Sequence, residues 1–133
     1  MNKNQQKLIE WFLRISLSIG FLSAVADRFG IWPKNFSAWG NWEAFVKYSH
    51  SLTPYLSEKQ ALFAAGAATL LEIFLGVILL VNFKTSLMAK ISGFLLLTFG
   101  VSMAVFNNIK APLDYSVFTA AAAAFALSII YRK

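Results

Sequence analysis

Polar residues in this chain come in short groups, and between them run four stretches in which nearly every position is apolar. They are LIEWFLRISLSIGFLSAVA at 8–26, QALFAAGAATLLEIFLGVILLV at 60–81, SLMAKISGFLLLTFGVSMAVF at 86–106 and LDYSVFTAAAAAFALSIIY at 113–131. Apolar runs of this length predict membrane-spanning helices, since at ~1.5 Å rise per residue each is about long enough to cross ~30 Å of hydrocarbon. The connections NFKT and NNIKAP are short, so the helices they join should be antiparallel neighbours. The expectation is an all-α, integral-membrane four-helix up-down bundle, one domain over 1–133. The first span runs on into Asp27 and Arg28 with no small-residue cleavage site, which predicts a retained helix rather than a signal peptide.

Residues 27–59 form the one long connection, and it is too aromatic for a disordered linker. Its second half, WGNWEAFVKYSHSL, sets Trp39, Trp42, Phe45 and Val46 at helical spacing beside the i,i+4 pair Glu43 and Lys47. An amphipathic helix at the membrane surface fits. Its rings either anchor the bundle as an aromatic belt or cover a pocket beneath.

Composition sharpens the class. Hydrophobic residues make up 58% of the chain and charged residues only 14%, a balance of membrane rather than soluble proteins. Cysteine is absent and His50 is the single histidine, so thiolate sites, disulfides and bis-histidine haem ligation within this chain are excluded, and no metal is expected. Net charge is +6, but the basic residues are scattered, which argues against nucleic acid. Lys3, Lys7, Lys84, Lys90, Arg132 and Lys133 favour one side of the bundle, placing both termini in the cytoplasm by the positive-inside rule.

The charges inside the spans need partners, because an ionisable group in hydrocarbon costs a few kcal/mol or more. Glu72 lies about 18 Å of helix from one end of its span and about 14 Å from the other, too deep to reach water. A proton or a buried cation must hold it. Arg14, about 9 Å into the first span, is the nearest candidate by depth, or else it snorkels and pairs with Glu10 one turn earlier. Gly76, one turn from Glu72, marks tight helix contact or clears space beside the carboxylate. At the other end, Asp27 meets the negative end of a helix dipole and wants a cation, so Asp27, Arg28, Lys110 and Asp114 are expected to form a polar cap tying the first helix to the fourth. Asp114, just after Pro112, is expected in a first helical turn.

With these residues in place, the chain resembles the DoxX family of small bacterial membrane proteins. The segments that carry the likeness are LRISLSIGFLSAVADRFG, LLEIFLGVILLVNFKT and NNIKAPLDYSVF, and it extends over nearly the whole chain. The resemblance implies a four-helix protein of the bacterial cytoplasmic membrane, in a family linked to a thiosulfate:quinone oxidoreductase subunit and to membrane redox assemblies. On the family pattern Arg14, Glu72 and Gly76 match buried positions, while Arg28 stands where many relatives place a lysine. No self-contained catalytic motif is present. Two functions are therefore expected as alternatives. One is an accessory subunit of a membrane redox complex, binding a lipophilic molecule such as a quinone through Arg14 and Glu72 with Gly76, Trp39 and Trp42 around it. The other is a structural or assembly protein, open to oligomerisation, in which the Arg–Glu pair only fixes packing.

Overall fold

Asn2 and Gln5 open the first helix with a reciprocal cap: the Asn2 side chain accepts from the Gln5 N–H at 2.8 Å, and the Gln5 side chain accepts from the Asn2 N–H at 3.2 Å. In the computed structural model, which describes residues 1–131, this cap starts α1 (Lys3–Arg28) before the apolar run begins, so the helix exceeds the expected span at both ends. The amphipathic segment of the long connection forms α2 (Trp42–Ser51), capped by the Asn41 side chain. Ser57 and Gln60 make a second reciprocal cap that opens α3 (Glu58–Ile78), and α4 (Thr85–Phe106) follows a tight turn. Among the described residues there is no strand. Arg132 and Lys133, counted toward the positive side of the bundle, lie outside the described residues.

Three helices, α1, α3 and α4, are long and apolar enough to cross a membrane. The expected fourth span is not one helix. It divides into α5 (Lys110–Asp114) and α6 (Val117–Ile130), separated at Tyr115 and Ser116, where Ser116 takes a left-handed φ of 55°. The polar triplet Asp114, Tyr115 and Ser116 is exposed and interrupts the apolar pattern. Asp114 is thus the last residue of α5, not part of a first turn. With 14 residues, α6 is about 21 Å long, less than the hydrocarbon thickness.

α1 packs along α3 and α4 along α6, with a further contact between α1 and α6. Leu17, Phe21, Leu75, Leu79, Met88, Ala89, Ala124 and Leu127, from all four helices, meet in one buried core. The Gln6 amide donates to the Ile130 carbonyl at 3.1 Å, so the start of α1 and the end of α6 lie side by side. Large apolar residues face outward along the helices, Phe63 79% and Leu70 70% exposed among them. Such continuous apolar surface suits lipid rather than water.

Glycine sets the helix spacing. A Cβ on Gly76 would meet the Leu22 side chain at 2.8 Å, and the Ser18 hydroxyl donates to the Gly76 carbonyl. Gly93 and Gly100 of α4 are closed in the same way by Phe125 and Phe118 of α6, whereas Gly66 faces open space. The room beside Gly76 is therefore filled by α1 itself. Gly76→Val is expected to cost about 1–3 kcal/mol by overpacking, and pairing it with Leu22→Ala should return most of that; thermal melts in detergent of the two variants check the contact.

Candidate functional site

Arg28, the last residue of α1, turns inward and is 3% exposed; Glu72 on α3 is 2% exposed. Among the described residues they form the ion pair buried most fully on both sides. Arg28 Nη2 donates to Glu72 Oε2 at 3.1 Å, and Glu72 Oε1 lies 2.9 Å from the same nitrogen but off the N–H direction, so the closer oxygen accepts no hydrogen bond. Arg28 Nη1 donates at 2.8 Å to the Thr69 hydroxyl, which in turn donates a hydrogen bond to the Ala65 carbonyl. Thr69 sits three residues before Glu72, on the same helix face. Arg28 Nε has no hydrogen-bond partner.

The long connection closes over this pair. Phe45, the buried residue of α2, lies with its ring centroid 3.8 Å from the guanidinium carbon, and the Trp39 ring is 5.5 Å away. Cation–π attraction suits a desolvated arginine in this position. Trp39 meets Phe45 edge-on at 5.0 Å, and Trp42 stacks on Phe29 at 5.6 Å and tilts against Phe45. Asp27 holds the segment before α2 in place: its carboxylate accepts from the backbone N–H groups of Ala38, Trp39 and Gly40 at 2.8, 3.2 and 3.2 Å. At the far end His50 Nε2 lies 2.9 Å from the Leu56 carbonyl oxygen, and Tyr55 packs on Phe106 of α4. Burial pushes the Tyr48 phenol above its ordinary range, the neighbouring Tyr115 adds to this and a hydrogen bond with Asn107 opposes it.

Arg14 takes no part in this site. It is fully buried at the opposite end of the α1–α3 contact, where Nε donates to the Leu79 carbonyl at 2.7 Å and Nη2 to the Val81 carbonyl at 2.7 Å. Nη1 reaches Asn82 at 2.9 Å and Glu10 at 3.2 Å, and Trp11 covers the guanidinium at 4.2 Å. The side chain thus caps the carbonyl end of α3, where a cation opposes the helix dipole.

Of the pairings open to the sequence, the structure therefore selects Arg14 with Glu10 and gives Glu72 to Arg28. The Ser18–Gly76 contact sets the register: in the antiparallel pair Arg14 stands level with about residue 80, some 12 Å of helix from Glu72. Side-chain direction adds to this. Cβ atoms tilt toward the helix N-terminus, so Arg14 leans away from Glu72 while Arg28, farther along α1, leans back toward it. The expected polar cap is also corrected. Asp27 is satisfied by backbone N–H groups rather than a cation, and Lys110 pairs with Asp114 one turn away on the exposed surface of α5. Thr69 and Phe45 were not among the expected site residues. The spacing of Thr69 to Glu72 and the central place of Phe45 on the apolar face of α2 are the signals that point to them.

Comparison with protein-family models, with curated proteins and with solved structures finds no match.

Proposed function

We propose that this chain is a DoxX-like protein of the bacterial cytoplasmic membrane, crossing it as a four-helix up-down bundle with α5 and α6 together as the fourth span and both termini cytoplasmic. Its function in this reading is that of a non-thiol accessory subunit of a membrane redox complex, binding a lipophilic small molecule at the Arg28–Glu72 pair. A quinone fits the chemistry. The observation that carries the reading is a buried arginine and carboxylate under two aromatic rings, with Arg28 Nε and Glu72 Oε1 both lacking hydrogen-bond partners. A quinone carbonyl needs a donor and its reduced hydroxyl an acceptor; Arg28 Nε is a donor without a hydrogen-bond partner, and Glu72 Oε1, ion-paired with Arg28 Nη2 at 2.9 Å, has lone pairs that accept no hydrogen bond. Ring-on-ring contact with Phe45 and Trp39 would hold the headgroup. α2, joined by non-helical segments on both sides, is the element that lifts to admit it.

The competing reading is a structural or assembly protein whose buried pair fixes helix packing. It draws on Leu22 filling the space beside Gly76. Titration of the purified protein with a short-chain quinone, read by quenching of the tryptophans, separates the two. Saturable quenching is expected, weakened about tenfold by Phe45→Ala, equivalent to ~1.4 kcal/mol of lost contact, and abolished by Glu72→Gln in a protein that still melts cooperatively. Absence of saturation in the unaltered protein, or an unchanged Kd in Glu72→Gln, would leave the structural reading.

A further inference from the structure

Between α1 and α2 the chain makes a loop, residues 30–40, whose two ends meet. Gly30 and Gly40 both take a left-handed φ, 72° and 80°, and a Cβ on Gly30 would lie 3.0 Å from the Gly40 carbonyl oxygen. The Asp27 carboxylate fastens this neck through the N–H groups of Ala38, Trp39 and Gly40. Within the loop the Phe36 N–H donates to the Pro33 carbonyl at 2.9 Å, and the Ser37 hydroxyl donates to the same carbonyl at 3.1 Å. A loop closed at its neck and bonded within itself is a built element rather than slack chain.

What it presents to the outside is apolar. Ile31 is 73% and Phe36 71% exposed. Trp32 fixes the height at which they stand: its indole Nε1 donates to the Ser23 carbonyl at 3.1 Å and lies 3.2 Å from the Ser23 hydroxyl. Ser23 is five residues before the end of α1, about 7.5 Å of helix inside it. At about 100° per residue it falls about 20° from Phe12 and about 40° from Ile19 round the helix. It therefore lies along the exposed apolar stripe of α1 that Leu8, Phe12, Ile15 and Ile19 form. The loop thus folds back over the outward face of α1, whereas α2 turns its rings inward to Arg28.

We infer that loop 30–40 is a membrane-interface anchor, with Ile31 and Phe36 seated at the boundary between headgroups and acyl chains and Trp32 holding the loop at that depth. Continuity with the exposed stripe of α1, a helix long and apolar enough to cross a membrane, selects lipid as the partner. The inference rests on the membrane-crossing part of the proposed function. It needs neither a ligand at Arg28–Glu72 nor a particular orientation of the termini.

The chain has no cysteine, so single cysteines can carry a nitroxide without other changes. Ile31→Cys, Phe36→Cys, Phe12→Cys and Lys47→Cys, all at exposed positions where folding is little affected, are labelled in vesicles of phosphatidylethanolamine and phosphatidylglycerol. Power-saturation EPR then compares access of oxygen with access of a water-soluble nickel chelate. Labels at Ile31 and Phe36 are expected to favour oxygen, at a depth of about 5–10 Å, with Phe12 deeper and Lys47 open to nickel. Trp32→Ala should raise nickel access at Ile31 and Phe36 and leave Phe12 unchanged. Nickel access at the loop labels equal to that at Lys47, with Phe12 in lipid, would overturn the anchor alone; nickel access at Phe12 as well would overturn the membrane reading beneath it. Loop labels shielded from both reagents would place a protein surface there instead of lipid, and unchanged loop labels in Trp32→Ala would remove Trp32 as the residue that sets the depth.

Discussion

Glu72→Ala is expected to lower the stability of the detergent-solubilised protein by about 3–5 kcal/mol, because it strands a buried guanidinium. Arg28 is 3% exposed and, among the described residues, has the Thr69 hydroxyl as its one other hydrogen-bond partner. It cannot snorkel to the headgroups without pulling away from Phe45, whose ring centroid lies 3.8 Å from the guanidinium carbon. For a domain of this size that is a fall in melting temperature on the order of 10 °C. Arg28→Ala should do comparable harm from the other side. The double change Arg28→Leu/Glu72→Leu should recover much of the loss, since replacing both partners of a buried pair with apolar groups removes the desolvation cost along with the attraction. Circular dichroism melts of the three variants form the test. An unaltered melt for Glu72→Ala would show that Arg28 reaches water and that the pair is not closed.

Arg14→Met is expected to cost about 2–4 kcal/mol, as charge-assisted hydrogen bonds contribute ~1.5–3 kcal/mol each but several here can be partly replaced by water near the membrane surface. Arg14 binds the carbonyls of Leu79 and Val81 and the side chains of Asn82 and Glu10 at once. Methionine keeps the volume and loses every donor. Arg14→Lys should rescue little, because a point ammonium cannot place donors on the fork of positions that the guanidinium fills. Hydrogen exchange should localise the damage to the end of α3 and the turn before α4. A loss spread evenly over the molecule, or full rescue by lysine, would deny Arg14 this capping role.

These two arginines show what could be read along the chain and what could not. The depth of Glu72 in its apolar run announces a buried carboxylate, and the hydrocarbon environment demands that it be neutralised. Depth along each span is a one-dimensional measure, however. It ranks Arg14 as the nearest cation because it ignores where the helices touch and which way side chains lean. Asp27 and Arg28 look alike in sequence, adjacent charges at a helix end, yet one turns to the backbone of the connection and the other to the interior. A helix turns by about 100° per residue, so neighbours face different surroundings.

Sequence alone determined the all-helical class, the three long apolar helices, the amphipathic α2 and the need to match Glu72, because each follows from composition, periodicity and the cost of charge in hydrocarbon. It did not determine that the last apolar run would divide at Ser116, since a short polar triplet is compatible with a continuous helix until packing chooses. Tertiary structure alone decided that Leu22 fills the space beside Gly76, that Glu72 belongs to Arg28 and that Arg14 caps α3. Those outcomes rest on the register of α1 against α3, fixed by the close approach at Ser18 and Gly76, and register is a property of two packed surfaces that neither strip of sequence carries by itself.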